Sequence, residues 1–253
     1  MDLFAVSGVK NNQDIYLSVV IPAFNEEGRI EKSIRGIEKF LVQAGYPFEI
    51  IVIDDGSLDG TWSLLTNLSQ KIPHLIHHRN DKNEGKGYSV KRGVLLARGK
   101  FILFSDSDLS TPIEEITNLL PWFDKGYDIV IGSRGLKQSN IIIHQALHRE
   151  NMGRVFNWLV RLLLLPDFKD TQCGFKCFKQ ETVSEIFIRQ TVFGFCFDVE
   201  LLFISKLLGY KIKECPVRWI NSPNSKVHTI KDPFFMIKDL IKIKLNHVNG
   251  KYI

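Results

Sequence analysis

Four short runs of β-branched and aromatic residues, each stopped by a polar turn, restrict the folds open to this chain. Leu17 to Ile21 is an apolar run ended by Pro22, and Glu49 to Ile53 runs into Asp54, Asp55, Gly56 and Ser57. Phe101 to Phe104 leads into Ser105, Asp106, Ser107 and Asp108, while Asp128 to Ile131 ends in Gly132, Ser133 and Arg134. Runs of this length between turn residues read as buried strands. Helical patterns lie between them. Ile30, Ile34, Ile37 and Leu41 share one face, with Asn25 as a candidate cap, Glu26 and Glu27 in the first turn and Gly45 as the stop. A second helix carries Trp62, Leu65 and Leu68. A third follows the loop Asn83, Gly85, Lys86, Gly87 and ends at Gly99, and Thr111 and Pro112 read as the start of a fourth. Such alternation predicts an α/β fold of right-handed βαβ units, with a mixed, mainly parallel sheet flanked by helices.

The second half has a different texture. Val155 to Leu165 is almost wholly apolar, Phe197 to Leu208 reads as another apolar helix, and Lys211 to Trp219 contains a short strand. The expected organisation is a loose leader over 1–16, one catalytic-sized domain over 17–230 and an amphipathic tail over 231–253. A length of 253 residues suits one such domain. The net charge of +5 suits an anionic ligand or membrane surface, and the clustered basic pattern of a nucleic-acid binder is absent. Cys173, Cys177, Cys196 and Cys215 lack the spacing of a structural zinc site. With no secretory signal in the first 16 residues, reduced thiols and a cytoplasmic location are expected. No apolar run approaches the roughly 20 residues that a membrane-spanning helix needs.

In open α/β sheets, ligands bind beyond the carboxyl ends of the strands. Here those ends carry Asn25 to Glu27, Asp54 and Asp55, Asp106 and Asp108, and Arg134. Asp106 and Asp108, alternating along a turn, can aim two carboxylates at one Mg²⁺ or Mn²⁺ bridging the phosphates of a nucleotide. The same pair also suits a surface turn in which Asp108 caps the next helix. Asp54 and Asp55 suit either hydrogen bonding to a base or ribose, or helix capping together with Ser57. Lys86, between two glycines, offers a point charge to a phosphate, or is an ordinary surface turn lysine.

Taken in order, the segments VVIPAFNEE, IVIDDGSLDGT, NEGKGYSVKRG, SDSDLS, VIGSR, DTQCGFKCF and FDVELL resemble the inverting GT-A glycosyltransferases that make dolichyl-phosphate sugars. The resemblance covers about Ser18 to Trp219, and DTQCGFK and FDVELL look more like the β-glucosyl than the mannosyl members. It implies transfer of a sugar, glucose from UDP-glucose first and mannose from GDP-mannose second, onto a dolichyl or polyprenyl phosphate with inversion. It places Pro22, Ala23, Asn25 and Glu27 in the nucleotide pocket, with Asp54 or Asp55 on the base. Asp106 and Asp108 would hold the diphosphate through the metal, and Arg134 and Arg149 would bind the acceptor phosphate. The chain departs from mannosyl relatives at Ser110, a poorer third metal ligand, and at Gly153, where relatives often carry serine. Asp198, at the start of an apolar helix, is either a positioning residue or an acid favoured by the helix dipole; it would act as a base only toward an alcohol. Cys215 to Trp219 superficially matches a motif of processive synthases and reads as a strand.

Two rival classes are weighed against this reading. A sugar-phosphate nucleotidyltransferase should have a Gly-rich loop after strand one, where this chain has Pro-Ala-Phe-Asn-Glu-Glu. A catalytically silent binding module has no need of the Asp106, Asp108 and Arg134 set. A lipid acceptor also requires contact with a bilayer. Val155 to Leu165, with Arg154, Asn157 and Arg161 on one face, is too short to span and suits the interface plane. In the tail, Phe234, Phe235, Ile237 and Ile241 alternate with Lys238, Lys242 and Lys244. Both segments fit either amphipathic membrane-interface helices at the cytoplasmic face or core packing.

Overall fold

A computed structural model describes residues 14–143, 147–221 and 231–252, with backbone alone for 147–149 and 231–234. The elements run β1 (Leu17–Ala23), α1 (Ile30–Ala44), β2 (Phe48–Asp54), α2 (Thr61–Ser69), β3 (Leu75–Arg79), α3 (Lys86–Leu96) and β4 (Phe101–Ser105). A 3₁₀ turn (Ile113–Glu115) precedes the single-turn helices α4 (Ile116–Leu119) and α5 (Pro121–Asp124). Then follow β5 (Ile129–Ser133), β6 (Asn140–Ile143), α6 (Leu147–Leu163), β7 (Phe175–Lys179), α7 (Gln180–Ile188), α8 (Phe197–Leu207), β8 (Ile212–Pro216), β9 (Arg218–Ile220) and α9 (Lys231–Val248).

Seven strands form one sheet in the order β3-β2-β1-β4-β7-β5-β8, and β6 pairs with β9 in a second. Within the large sheet β7 runs antiparallel to both neighbours, and the other pairings are parallel. The sheet is therefore mixed and mainly parallel. Period-two alternation divides its side chains between two cores. Leu17, Val19, Ile21, Ile50, Val52 and Leu103 face α1, which answers with Ile30, Ile34, Ile37 and Leu41. Val20, Ile51, Ile53, Ile102 and Phe104 face α3, α7 and α8.

Helix α1 starts later than the sequence suggests. Asn25 sits at a φ of 54° and its side-chain carbonyl accepts the Leu58 N–H at 2.8 Å, so it ties two loops together. The helix opens instead at Ile30, without a side-chain cap, and closes at Gly45 in the left-handed region that glycine adopts without penalty. The Lys211 to Trp219 segment contributes two strands, β8 and β9. The tail forms α9 and joins the same core through Leu240, Ile243 and the buried Tyr252. All four cysteines are buried and unpaired.

Candidate active site

Strand order reverses between β1 and β4, and at this switch point the carboxyl ends of β1, β2 and β4 open onto a cavity of about 760 Å³. Pro22, Ala23 and Phe24 line it from β1, Asp55 from β2, and Asp106, Ser107 and Asp108 from β4. Asn83, Gly85 and Lys86 enter from the loop before α3, and Gly194 and Phe195 from the loop before α8. Arg29 and Glu26, paired with each other, complete the wall.

The two aspartates after β2 divide the work. Asp54 is fully buried; it accepts the Ser57 N–H at 3.1 Å and pairs with Arg79 at 3.2 Å, so it holds the loop after β2. Asp55 borders the cavity. Its Oδ1 accepts Asn80 Nδ2 at 2.7 Å and the Glu84 N–H at 3.0 Å, and its Oδ2 accepts the Gly85 N–H at 3.0 Å. Asp55 thereby positions the loop that carries Lys86. Glu27 turns toward the loop after β2, where it accepts the Gly60 N–H at 2.9 Å. Asn25, Glu27 and Asp54 thus stand behind the wall formed by Pro22, Ala23, Asp55 and Lys86.

Asp106 and Asp108 differ in their surroundings. Asp106 Oδ1 lies 2.6 Å from Lys86 Nζ, and no other partner reaches that buried oxygen among the described residues. The carboxylate rests against Gly174, where an added Cβ would fall 2.0 Å from Asp106 Oδ2. Asp108 accepts the Ser110 N–H at 2.9 Å, closing a turn through Leu109 at a φ of 48°, and lies 3.9 Å from Arg29. Burial and the neighbouring Asp106 charge push the Asp108 carboxyl above its ordinary range. Burial alone would push the Lys86 ammonium down, but Asp106 and Asp198 more than reverse this and hold it above its usual value. Among the described residues no three His, Cys, Asp or Glu side chains cluster as a complete metal cage. A pair of carboxylates still fits Mg²⁺ or Mn²⁺, which keep water or phosphate oxygens as their remaining ligands.

Asp198, in the first turn of α8, does not border the cavity. It is buried against the wholly buried Lys176 of β7, at 2.7 Å, and Lys176 also donates to the Cys173 carbonyl at 2.5 Å. Burial raises the Asp198 carboxyl, and Lys176 opposes the rise. Arg134 lies at the carboxyl end of β5, stacked 5.5 Å from the Trp219 ring centroid. Its backbone N–H, Nε and Nη2 donate to Asp170 at 2.9, 2.6 and 2.9 Å. Asp170 is in turn anchored by its own N–H, which donates to Glu214 at 2.8 Å. Arg149 belongs to α6, and its side chain lies outside the described residues.

Sequence reading placed Glu26 on the polar rim and Asn83 in the loop before Lys86, but passed over Arg29 and the Gly194–Phe195 loop, neither of which carries a pattern of its own. It also missed the pairing roles of Asp170 and Lys176. Both belong to the DTQCGFK segment, but their partners lie 36 and 22 residues away, beyond any local signal.

The model of Glycosyl transferase family 2 matches residues 18–187. A dolichyl-phosphate beta-glucosyltransferase of Dictyostelium discoideum is 35% identical over 251 residues, covering 94% of this chain and 76% of that protein. The enzyme of the same name from Homo sapiens is 32% identical, covering 93% of this chain and 77% of its own length. Glucosyl-3-phosphoglycerate synthase from Mycobacterium tuberculosis, solved with Mn²⁺, uridine-diphosphate-glucose and phosphoglyceric acid, shares the fold. Its TM-score is 0.66 at 19% identity, over 91% of this chain and 79% of that one.

Proposed function

The chain belongs to glycosyl transferase family 2, among the dolichyl-phosphate beta-glucosyltransferases, and from that premise we propose that it transfers glucose from UDP-glucose to a dolichyl or polyprenyl phosphate. The observation that carries the reading is the convergence of Asp55, Lys86, Asp106 and Asp108 on one cavity at the switch point of the sheet. Asp55 spends both acceptor positions of Oδ1 and one of Oδ2 on the segment between β3 and α3. One position on Oδ2 remains for the single imide N–H of uracil. Guanine presents two adjacent donors and would leave one buried and unpaired, which costs about 1–3 kcal/mol. Lys86 offers its charge to the diphosphate, with Asn83 beside it. A Mg²⁺ or Mn²⁺ held by Asp106 and Asp108 would neutralise the charge developing on the departing diphosphate.

An oxygen of the acceptor phosphate forms the new bond to the anomeric carbon from the side opposite the diphosphate. The bond to the diphosphate oxygen breaks, UDP leaves with the electron pair, and the configuration inverts. A lipid phosphate is already anionic at neutral pH and needs no general base. This fits the burial of Asp198 against Lys176, which makes it a positioning residue. Arg134, with its Nε–Nη2 edge taken by Asp170, offers the Nη1 edge to the acceptor phosphate, and Arg149 is its proposed companion.

No helix among the described residues is long and apolar enough to cross a membrane. Helix α6 exposes Val155, Trp158 and Leu162, while Phe156 and Val160, with Leu164 just past its end, go into the core. Helix α9, packed on α6, exposes Ile237, Ile241 and Leu245. Two polar residues of α6 turn back onto the protein, Asn157 donating to the Lys169 carbonyl and Arg161 to that of Pro166, while Arg154 stays exposed beside Glu150. The paired apolar faces, flanked by Lys238 and Lys244, support a peripheral seat on the cytoplasmic face of an anionic membrane.

Calorimetry with UDP and GDP, and transfer from radiolabelled UDP-glucose to polyprenyl phosphate, test the reading. UDP should bind at least tenfold more tightly than GDP, and label should enter the lipid phase. A preference for GDP would move the enzyme to the mannosyl branch, and absence of labelled lipid with either donor would reject the acceptor.

A further inference from the structure

Lys86 meets the same carboxylate that is proposed to hold the metal. Its ammonium lies 2.6 Å from Asp106 Oδ1, and no other partner reaches that oxygen among the described residues. The placement is built into the fold on both sides of the lysine. Gly85 has a φ of 100°, and a Cβ there would fall 2.5 Å from the Phe193 carbonyl oxygen. Gly87 donates its N–H to that same oxygen at 2.8 Å, and a Cβ there would fall 2.6 Å from Phe197 Cβ. With the backbone closely packed at both neighbours, the Lys86 side chain runs past two aromatic rings. Its Nζ lies 5.4 Å from the Phe104 ring centroid and 6.0 Å from that of Phe197, within the range of cation–π attraction. Asp106 cannot retreat from the ammonium without leaving its seat against Gly174.

An ammonium 2.6 Å from Asp106 Oδ1 competes with a divalent ion for that carboxylate. The lysine already neutralises this carboxylate, and a divalent ion held by Asp106 would be repelled by an ammonium so near where water is scarce. Drawing Lys86 away would therefore strengthen the hold of this carboxylate on a metal. A diphosphate entering the cavity beside Asn83 and Gly85 is an anion within reach of the same flexible side chain.

We propose that Lys86 is a built-in counter-cation of the metal site, so that the enzyme takes up metal and nucleoside diphosphate as one complex and discriminates against the free metal. The inference rests on the reading of Asp106 as a metal ligand. In the empty enzyme Lys86 neutralises Asp106 and keeps divalent ions out. When the diphosphate binds, Lys86 moves to its oxygens and Asp106 becomes available. Coupling of this kind is reciprocal: UDP tightens the metal by the same factor as the metal tightens UDP.

Free Mn²⁺ measured by electron paramagnetic resonance during titration of the full chain, with and without UDP, tests this without any turnover. In the unaltered enzyme, UDP should tighten Mn²⁺ at least tenfold. Lys86→Gln should bind Mn²⁺ alone at least tenfold more tightly than the unaltered enzyme and lose most of the UDP effect. Lys86→Met, which keeps the contact with the rings, gives the same comparison should the glutamine variant fold poorly. Variants that bind Mn²⁺ no more tightly than the unaltered enzyme would overturn the proposal, as would unaltered enzyme that binds Mn²⁺ equally well with and without UDP. The double variant Lys86→Gln/Asp106→Asn separates the two layers of the argument. Loss of the gained Mn²⁺ affinity places the metal on Asp106; its retention shows that the metal site lies elsewhere and removes the premise itself.

Discussion

Replacing Asp170 by asparagine removes one negative charge from the loop before β7 and leaves the Arg134 guanidinium without its counter-ion. Asp170 is 7% exposed and takes three hydrogen bonds from Arg134. Burial alone would raise its carboxyl; Arg134 more than reverses this and holds it at about 2, against an ordinary 3.8. At about 1.4 kcal/mol per unit, that depression links about 2 kcal/mol of stability to the ionised form. Because the folded value lies below the unfolded one, this stability is fully present above about pH 5 and is lost as pH falls through 4 toward 2. Removing one member of a buried pair costs more than the linkage alone, since the partner stays charged and desolvated; the usual range is about 3–5 kcal/mol. The Arg134 side chain keeps 30% exposure, which sets the expectation at the lower end, about 3 kcal/mol. In a chain of this size that lowers the melting temperature by about 6–12 °C. Thermal melts of Asp170→Asn and the parent at pH 7, 5, 4 and 3 give the test. The gap should be widest at neutral pH and should narrow below pH 4, where the parent's unfolded chain takes up a proton that the folded Asp170 still excludes. Acceptor KM should rise more than donor KM, because Arg134 is aimed by this contact. Melting within about 2 °C of the parent at pH 7, or a gap that does not change with pH, would refute the electrostatic account of the pair.

Gly174→Ala tests the seat of Asp106. A Cβ 2.0 Å from its carboxylate must displace it, so turnover should fall about 100-fold with the melting temperature nearly unchanged; activity within threefold of the parent would show that Asp106 tolerates the shift. Changing Lys238 and Lys244 together to glutamate should weaken flotation with phosphatidylserine vesicles at least tenfold, at about 1 kcal/mol per basic residue near an anionic surface. Lys242 is left in place because it donates to the Thr191 carbonyl at 2.9 Å, and undiminished flotation would remove α9 from the membrane contact.

The strands that could be read from sequence are those whose side chains obey a simple solvent rule. β1, β2, β4 and β5 are buried throughout and appear as continuous apolar runs. β7 escapes because its sequence, Phe-Lys-Cys-Phe-Lys, contains a lysine that should mark a wet face. Lys176 is instead wholly buried, its charge met by Asp198 from α8. β3 escapes for a related reason: as an edge strand ending in His-His-Arg it carries little apolar signal, and its pairing with β2 makes it a strand.

The candidate site was legible to the same depth. Sequence locates a rim of polar residues because strand ends in such a sheet open on one side. It does not say which member of each pair faces inward, since adjacent residues leaving a strand point in opposite directions. Asp54 and Asp55 are neighbours, yet one secures Arg79 and the other borders the cavity. The residues behind the wall give their side-chain oxygens to backbone N–H groups of the next loop, as Asn25 and Glu27 do. Asp106, at the wall itself, has one oxygen met only by Lys86 among the described residues, as Asp54 Oδ2 behind the wall is met only by Arg79. Placement on the cavity wall therefore separates a carboxylate that can meet a ligand from one that holds a loop, and it depends on contacts between β4, α3 and β7 that no stretch of sequence contains.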